Sequence, residues 1–176
     1  GLGTLTKYLL DTGAEIIAIE KDRKLANYLK NKFADENRVK IIEDDILKFN
    51  SERLNLQKEV QPLKYYKIVG NIPYYLTSHL LRTIFETWPS PELIVLMIQK
   101  EVAQRVAAKP PKMSLLAVSV QYYTQPKIIS YVSKNSFWPA PEVDSAIIQL
   151  IPRLQITGYR LQGRGGNKKS ETWPLE

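Results

Sequence analysis

The sequence contains no cysteine and a single histidine, His79, among 176 residues. Without thiols it forms no disulfide, holds no thiolate metal site and offers no cysteine nucleophile. One imidazole is too few for a multi-histidine metal site. Long hydrophobic runs are missing too. A membrane helix needs about 18 apolar residues in succession, and the stretch at 93–98 has only the length of a buried strand. The first residues read as a glycine turn rather than a secretory leader. Acidic residues are in short supply relative to basic ones: 18 Asp+Glu stand against 25 Lys+Arg, a formal net charge of +7. Such a balance draws polyanions through long-range attraction and counterion release. It also fits a merely soluble basic protein.

What is present alternates short β-rich runs with amphipathic stretches, the pattern of βα units and a mostly parallel sheet. Strands are expected at 15–20, 39–43, 66–70, 93–98, 127–132 and 146–151. Their nearly unbroken Ile and Val content is that of strands covered on both faces. Helices are expected at 22–33, with Leu25, Ala26, Leu29 and Phe33 in phase, and at 78–88, with Ser78 as cap and Leu81, Ile84, Phe85 and Trp88 on one face. Further helices are expected at 99–108 and 114–123, although 118–123 would equally suit a strand. The polar segment 51–64 reads as a loop. From residue 153 the chain turns glycine-rich and basic and reads as a flexible tail over 153–176, leaving residues 1–152 as one domain. Residues 1–6 read as a glycine turn opening a helix with no strand before it. A parallel sheet short of its first strand would leave an apolar gap.

Several residues carry candidate chemistry. Gly1 and Gly3 would let the backbone approach a ligand at a helix N-terminus, or serve chain reversal alone. Glu20 ends the apolar run Ile16-Ile17-Ala18-Ile19, where nucleotide-binding βαβ units place an acid on ribose hydroxyls. Asp45 follows the next strand. Its carboxylate would accept from an adenine amine beside Ile46, or cap a helix. These features suit a nucleoside cofactor and do not separate a nicotinamide dinucleotide from S-adenosylmethionine. The sharpest signal is Asn71-Ile72-Pro73-Tyr74, directly after a strand. An exocyclic adenine amine is a poor nucleophile because its lone pair is delocalised into the ring. The Asn71 side-chain oxygen and the Ile72 carbonyl would hold its two protons and aim it. Pro73 would stiffen the turn, and Tyr74 would offer a stacking face to a flipped base.

Asn71-Ile72-Pro73-Tyr74 resembles the [NDS]-[IPL]-P-[YF] motif of adenine N6-methyltransferases, with Ile at the second position as in the ribosomal RNA adenine dimethyltransferases. That family includes small-subunit enzymes and the erythromycin-resistance methylases. Residues 1–6, Ile19-Glu20-x-Asp22, Asp44-Asp45-Ile46-Leu47 and 97–105 resemble further family segments, in order, as does Phe137-x-Pro139-x-Pro141-x-Val143-Asp144-Ser145. The resemblance covers about residues 1–152. The family's N-terminal strand and its small helical C-terminal domain are not matched, so the chain reads as truncated at both ends.

The resemblance implies an α/β, Rossmann-like fold dependent on S-adenosylmethionine, with a mostly parallel sheet and a reversed last strand. It implies that Gly1 and Gly3 approach the cofactor's methionine moiety, Glu20 its ribose, and Asp45 with Ile46 its adenine. Asn71 faces cofactor and target amine, while Tyr74 and Phe137 sandwich the target adenine. Methyl groups would pass to the N6 amine of adenine in ribosomal RNA, within a small-subunit precursor particle. No metal is required, because the leaving thioether is neutral. A cytoplasmic monomer with no membrane contact is expected. Two other functions stay open at this point: a non-catalytic RNA-binding relative, and a nicotinamide-dependent oxidoreductase, which would leave Asn71–Tyr74 without a role.

Overall fold

The computed structural model describes residues 1–49 and 66–153. The loop expected at 51–64 and nearly all of the tail expected at 153–176 lie outside them. The described chain runs α1 (Thr4–Leu10), β1 (Ile16–Glu20), α2 (Arg23–Lys32), β2 (Val39–Glu43), β3 (Lys67–Asn71), α3 (Thr77–Thr87), β4 (Leu93–Gln99), α4 (Lys100–Val106), α5 (Leu115–Tyr123), β5 (Thr124–Val132) and β6 (Ser145–Pro152). Short 3-10 turns at Tyr74–Leu76 and Lys134–Ser136 follow β3 and β5. No helix among the described residues is long and apolar enough to cross a membrane.

Every expected strand and helix is present. The ambiguous segment is helical because Ser114 caps it, its Oγ accepting from the Ala117 amide at 3.3 Å. Ser78 is not a cap. The 3-10 turn at Tyr74–Leu76 feeds α3 directly, so that helix begins at Thr77 and Ser78 is an exposed second residue. Asp22 does cap α2, accepting from the Leu25 amide at 2.9 Å.

The mostly parallel sheet expected from the pattern is divided into two ladders among the described residues. β1 and β2 pair in parallel, with Glu20 beside Glu43. The second has the order β3-β4-β6-β5. There β3 and β4 are parallel, and β6 is antiparallel to both its neighbours, the reversed strand the sequence suggested. Burial corrects a further expectation. On β4, Ile94, Leu96 and Ile98 are buried while Leu93, Val95 and Met97 are only half-buried. One face of the four-stranded sheet therefore carries the main core: Leu80, Leu81 and Ile84 of α3, Ala103 and Val106 of α4, Val120 of α5, and Ala146, Ile148 and Leu150 of β6. α1 and α2 pack on the β1–β2 pair.

Candidate active site

Gly3 caps α1 with φ 77° and ψ 17°, a left-handed conformation that L side chains disfavour. A Cβ there would also sit 2.7 Å from Leu29 Cδ2 and 2.8 Å from Phe33 Cε2. Packing on α2 thus accounts for this glycine without a ligand. At Gly1 a Cβ would meet nothing, which leaves that backbone open to approach. Lys32 Nζ donates to the Leu2 carbonyl at 2.8 Å and ties the turn to the end of α2.

Glu20 stands at the C-terminal end of β1, its side chain 18% exposed. One carboxylate oxygen accepts from the Asp22 amide at 3.0 Å, and the other pairs with the chain's amino terminus. Burial alone would raise its pKa. The hydrogen bonds from the amino terminus and the Asp22 amide outweigh that and hold the carboxyl below the usual range. On the neighbouring strand, the Asp44 amide donates to the Glu20 carbonyl at 3.1 Å and brings Asp45 alongside. Asp45 caps no helix: one oxygen accepts from the Leu47 amide at 3.1 Å within a turn, and the other meets Lys21 Nζ at 2.9 Å. The Lys21 hydrogen bond, with that from Leu47, holds the Asp45 carboxyl below its usual range. Reciprocally, Asp45 raises the pKa of Lys21, and the Tyr75 phenol adds to the rise. An ion pair through Lys21 was not visible in the sequence, where it is only the unspecified position between Glu20 and Asp22. Ile46 packs against the main core with its side chain half-buried.

Asn71 closes β3 opposite Met97, exposed, and its amide makes no hydrogen bond among the described residues. The motif's shape follows from its neighbours. A Cβ on Gly70 would lie 3.3 Å from Ile72 Cγ2, so the missing side chain is where Ile72 turns into the core. Pro73, with φ −54° and ψ 135°, opens the 3-10 turn and accepts from the Leu76 amide at 2.9 Å. Thr77, 2% exposed, donates its hydroxyl to the Tyr74 carbonyl at 3.1 Å. At the other end of the ring, the Tyr74 hydroxyl lies 2.8 Å from Ser145 Oγ at the start of β6. Phe137 is half-buried in extended backbone after the turn at Lys134–Ser136. Among the described residues neither Tyr74 nor Phe137 stacks on another ring. Ile46 and Ile72 pack against one core cluster, which brings the ends of β2 and β3 to the same region, and β1 runs beside β2.

The site is an edge of strand C-termini carrying two carboxylates, an unengaged amide and two unstacked rings, the place where open α/β folds take ligands. The ribosomal RNA adenine dimethylase family model matches residues 1–160. Ribosomal RNA small subunit methyltransferase A of Dehalococcoides mccartyi (strain CBDB1) is 43% identical over 157 residues, which cover 89% of this chain and 52% of that protein. The protein of the same name from Streptococcus thermophilus (strain CNRZ 1066) is 36% identical over 88% of this chain and 54% of its own length. The chain thus spans about half the length of the curated relatives it matches. Among solved structures, the 23S rRNA methyltransferase ErmE superposes with a TM-score of 0.74 at 27% identity, over 88% of this chain and 59% of ErmE. A dimethyladenosine transferase from Plasmodium falciparum gives 0.71 at 31% identity, over 87% of this chain and 53% of that one. The fold is that of S-adenosylmethionine-dependent methyltransferases, and the chain belongs to the ribosomal RNA adenine dimethylase family.

Proposed function

We propose that the protein containing this chain transfers methyl groups from S-adenosylmethionine to the N6 amine of adenine in ribosomal RNA. The observation that carries this reading is Asn71: an exposed amide with no partner among the described residues, at a strand end beside an unstacked tyrosine. The acceptor set suits a nucleoside. Glu20 and Asp45 are acceptors, as ribose hydroxyls and an adenine amine require, and they lie on adjacent strand ends. Both oxygens of each are engaged in this structure. Binding therefore exchanges Lys21 on Asp45 for a donor of the nucleoside.

When bound, S-adenosylmethionine supplies an electrophilic methyl on a positively charged sulfur. The chain's residues then act by position. The Asn71 Oδ1 and the Ile72 carbonyl accept the two amine protons and turn the nitrogen lone pair toward that methyl. Tyr74 and Phe137 stack on the two faces of the extruded adenine and keep it from re-entering RNA. Gly1 leaves room for the methionine moiety, and Ile46 covers the cofactor's adenine. No side chain is needed as a base, since the methylated amine loses its proton to water. The rate gain comes from alignment, where effective molarities are large, and from acceptors aimed at the charge that develops.

The basic balance of the chain suits an RNA substrate. We extend the reading to small-subunit RNA in a precursor particle, two methyl transfers per adenine, a cytoplasmic setting and a monomer. The name shared by the two curated relatives above supports the small-subunit part of it, and the family's description as a dimethylase supports the two transfers. Transfer of labelled methyl from S-adenosylmethionine to purified small- and large-subunit RNA tests it. The small-subunit RNA is expected to take label. Label in neither RNA, or binding of NAD in place of S-adenosylmethionine, would overturn the reading.

A further inference from the structure

The segments Gln99-Lys100-Glu101 and Val143-Asp144-Ser145 have no part in the mechanism above, yet they meet at its edge. We infer that the dipeptide Asp144-Ser145 is a bracket that sets the position of both aromatic walls around the target adenine. This rests on the reading of Tyr74 and Phe137 as those walls.

Ser145 is 1% exposed. The described residues hold two other buried hydroxyls, and both are satisfied locally. Thr77 donates to the Tyr74 carbonyl three residues back, and Thr124 to the Val120 carbonyl four residues back. Ser145 alone of the three reaches across 71 residues to another side chain, meeting the Tyr74 hydroxyl at 2.8 Å. A buried hydroxyl must find a partner. A partner at the far end of a half-buried ring fixes the direction of its long axis, because the other end is held by the backbone of the 3-10 turn. Here Ser145 is itself immobile, seated in β6 between Gln99 of β4 and Val132 of β5.

Asp144 works in the other direction. Its Oδ1 accepts from the Lys134 amide at 3.1 Å, at the first residue of the turn that delivers Phe137. Its Oδ2 faces Lys100 Nζ at 3.4 Å, and its carbonyl accepts from the Lys100 amide at 3.0 Å. The Lys134 amide, with Lys100, holds the Asp144 carboxyl below the usual range, so the bracket is charged at neutral pH. Lys100 also lies over the Tyr131 ring, 5.5 Å from its centroid, which ties the end of β5 to the same anchor. Adjacent residues therefore lead one to each wall: Ser145 to Tyr74, Asp144 to the turn before Phe137. The spacing of the two rings is set by one peptide unit on a packed strand. Both are positioning residues, since neither need touch the substrate.

The test is a double-mutant cycle in the full-length protein, read as single-turnover methyl transfer to RNA, with S-adenosylmethionine affinity measured alongside. Ser145→Ala and Tyr74→Phe each remove one end of the bond, and the second does so without disturbing the buried strand. Each is expected to slow transfer about tenfold, the worth of one net hydrogen bond in a positioned site, with cofactor affinity unchanged. In the Tyr74→Phe background, Ser145→Ala is expected to cost nothing more. Asp144→Ala is expected to slow transfer in both backgrounds, while Asp144→Asn, which keeps the acceptor for Lys134, retains most of the rate. If Ser145→Ala slows transfer equally with and without the Tyr74 hydroxyl, or not at all, the bracket is wrong while the methyltransferase reading stands. A wild-type protein that transfers no methyl to RNA overturns both.

Discussion

Replacing Gly3 by alanine separates two reasons for a glycine at the start of α1. If it serves only to let a ligand approach, the unliganded protein should be indifferent to a methyl group. The geometry says otherwise. The left-handed φ of 77° costs an alanine about 1–2 kcal/mol. The added Cβ would stand 2.7 Å from Leu29 Cδ2 and 2.8 Å from Phe33 Cε2. Leu29 and Phe33 are 3% and 8% exposed, so neither side chain has solvent to move into. Overpacking of this kind costs about 1–3 kcal/mol. A total near 3 kcal/mol, at about 2–4 °C per kcal/mol for a chain of this size, lowers Tm by roughly 6–12 °C. Thermal melting of the protein without cofactor is the assay, with Gly1→Ala as control, since a Cβ there meets nothing. A Gly3→Ala variant that melts within about 1 °C of wild type would refute the packing argument.

Three further outcomes are expected. Glu20→Ala removes the acceptor at the end of β1 and should weaken S-adenosylmethionine binding by about 1.5–3 kcal/mol while leaving RNA affinity unchanged; calorimetric titration checks both. The Lys21–Asp45 pair should be insensitive to pH over a wide range. The lowered Asp45 pKa means its contribution is present above the unfolded value near 3.9 and lost as pH falls through the lower folded value. The raised Lys21 pKa means its contribution is present below about 10.4 and lost as pH rises through the higher folded value. Cofactor affinity that changes sharply between pH 6 and 9 would place the titrating group elsewhere. RNA binding should fall steeply with salt, with a log–log slope near −0.7 per phosphate neutralised on a single strand; a flat filter-binding series would contradict the role given to the net charge.

Much of this was legible in the residues. Strands came through because Ile and Val runs such as 93–98 have strand length and no helical period, and α2 because Leu25, Ala26, Leu29 and Phe33 fall in phase. The strand order within the four-stranded ladder was not legible, since hydrogen-bond partners between strands leave no mark on either sequence. Uneven cover of β4 was hidden for a related reason: Leu93, Val95 and Met97 are as apolar as Ile94, Leu96 and Ile98, yet only the latter are buried. At the site, Asn71-Ile72-Pro73-Tyr74 could be read locally because its chemistry and its turn lie in four successive residues. The packing that calls for a glycine at position 3 was not legible, because its collision partners, Leu29 and Phe33, lie a helix away in sequence. Lys21 and Ser145 escaped for the same reason. Their meaning is in Asp45 and Tyr74, 24 and 71 residues distant, and nothing in the sequence announces those pairings.

The central claim is that Asn71 orients an adenine amine in RNA for methyl transfer. Its most direct test is nucleoside mass spectrometry of small-subunit RNA after single-turnover incubation with S-adenosylmethionine, comparing the full-length wild type with Asn71→Ala. The wild type should produce N6,N6-dimethyladenosine, and the folded variant, with cofactor affinity retained, should produce neither the mono- nor the dimethylated nucleoside. Methylation by the variant within about threefold of wild type, or label at any position other than N6 of adenine, would contradict the account.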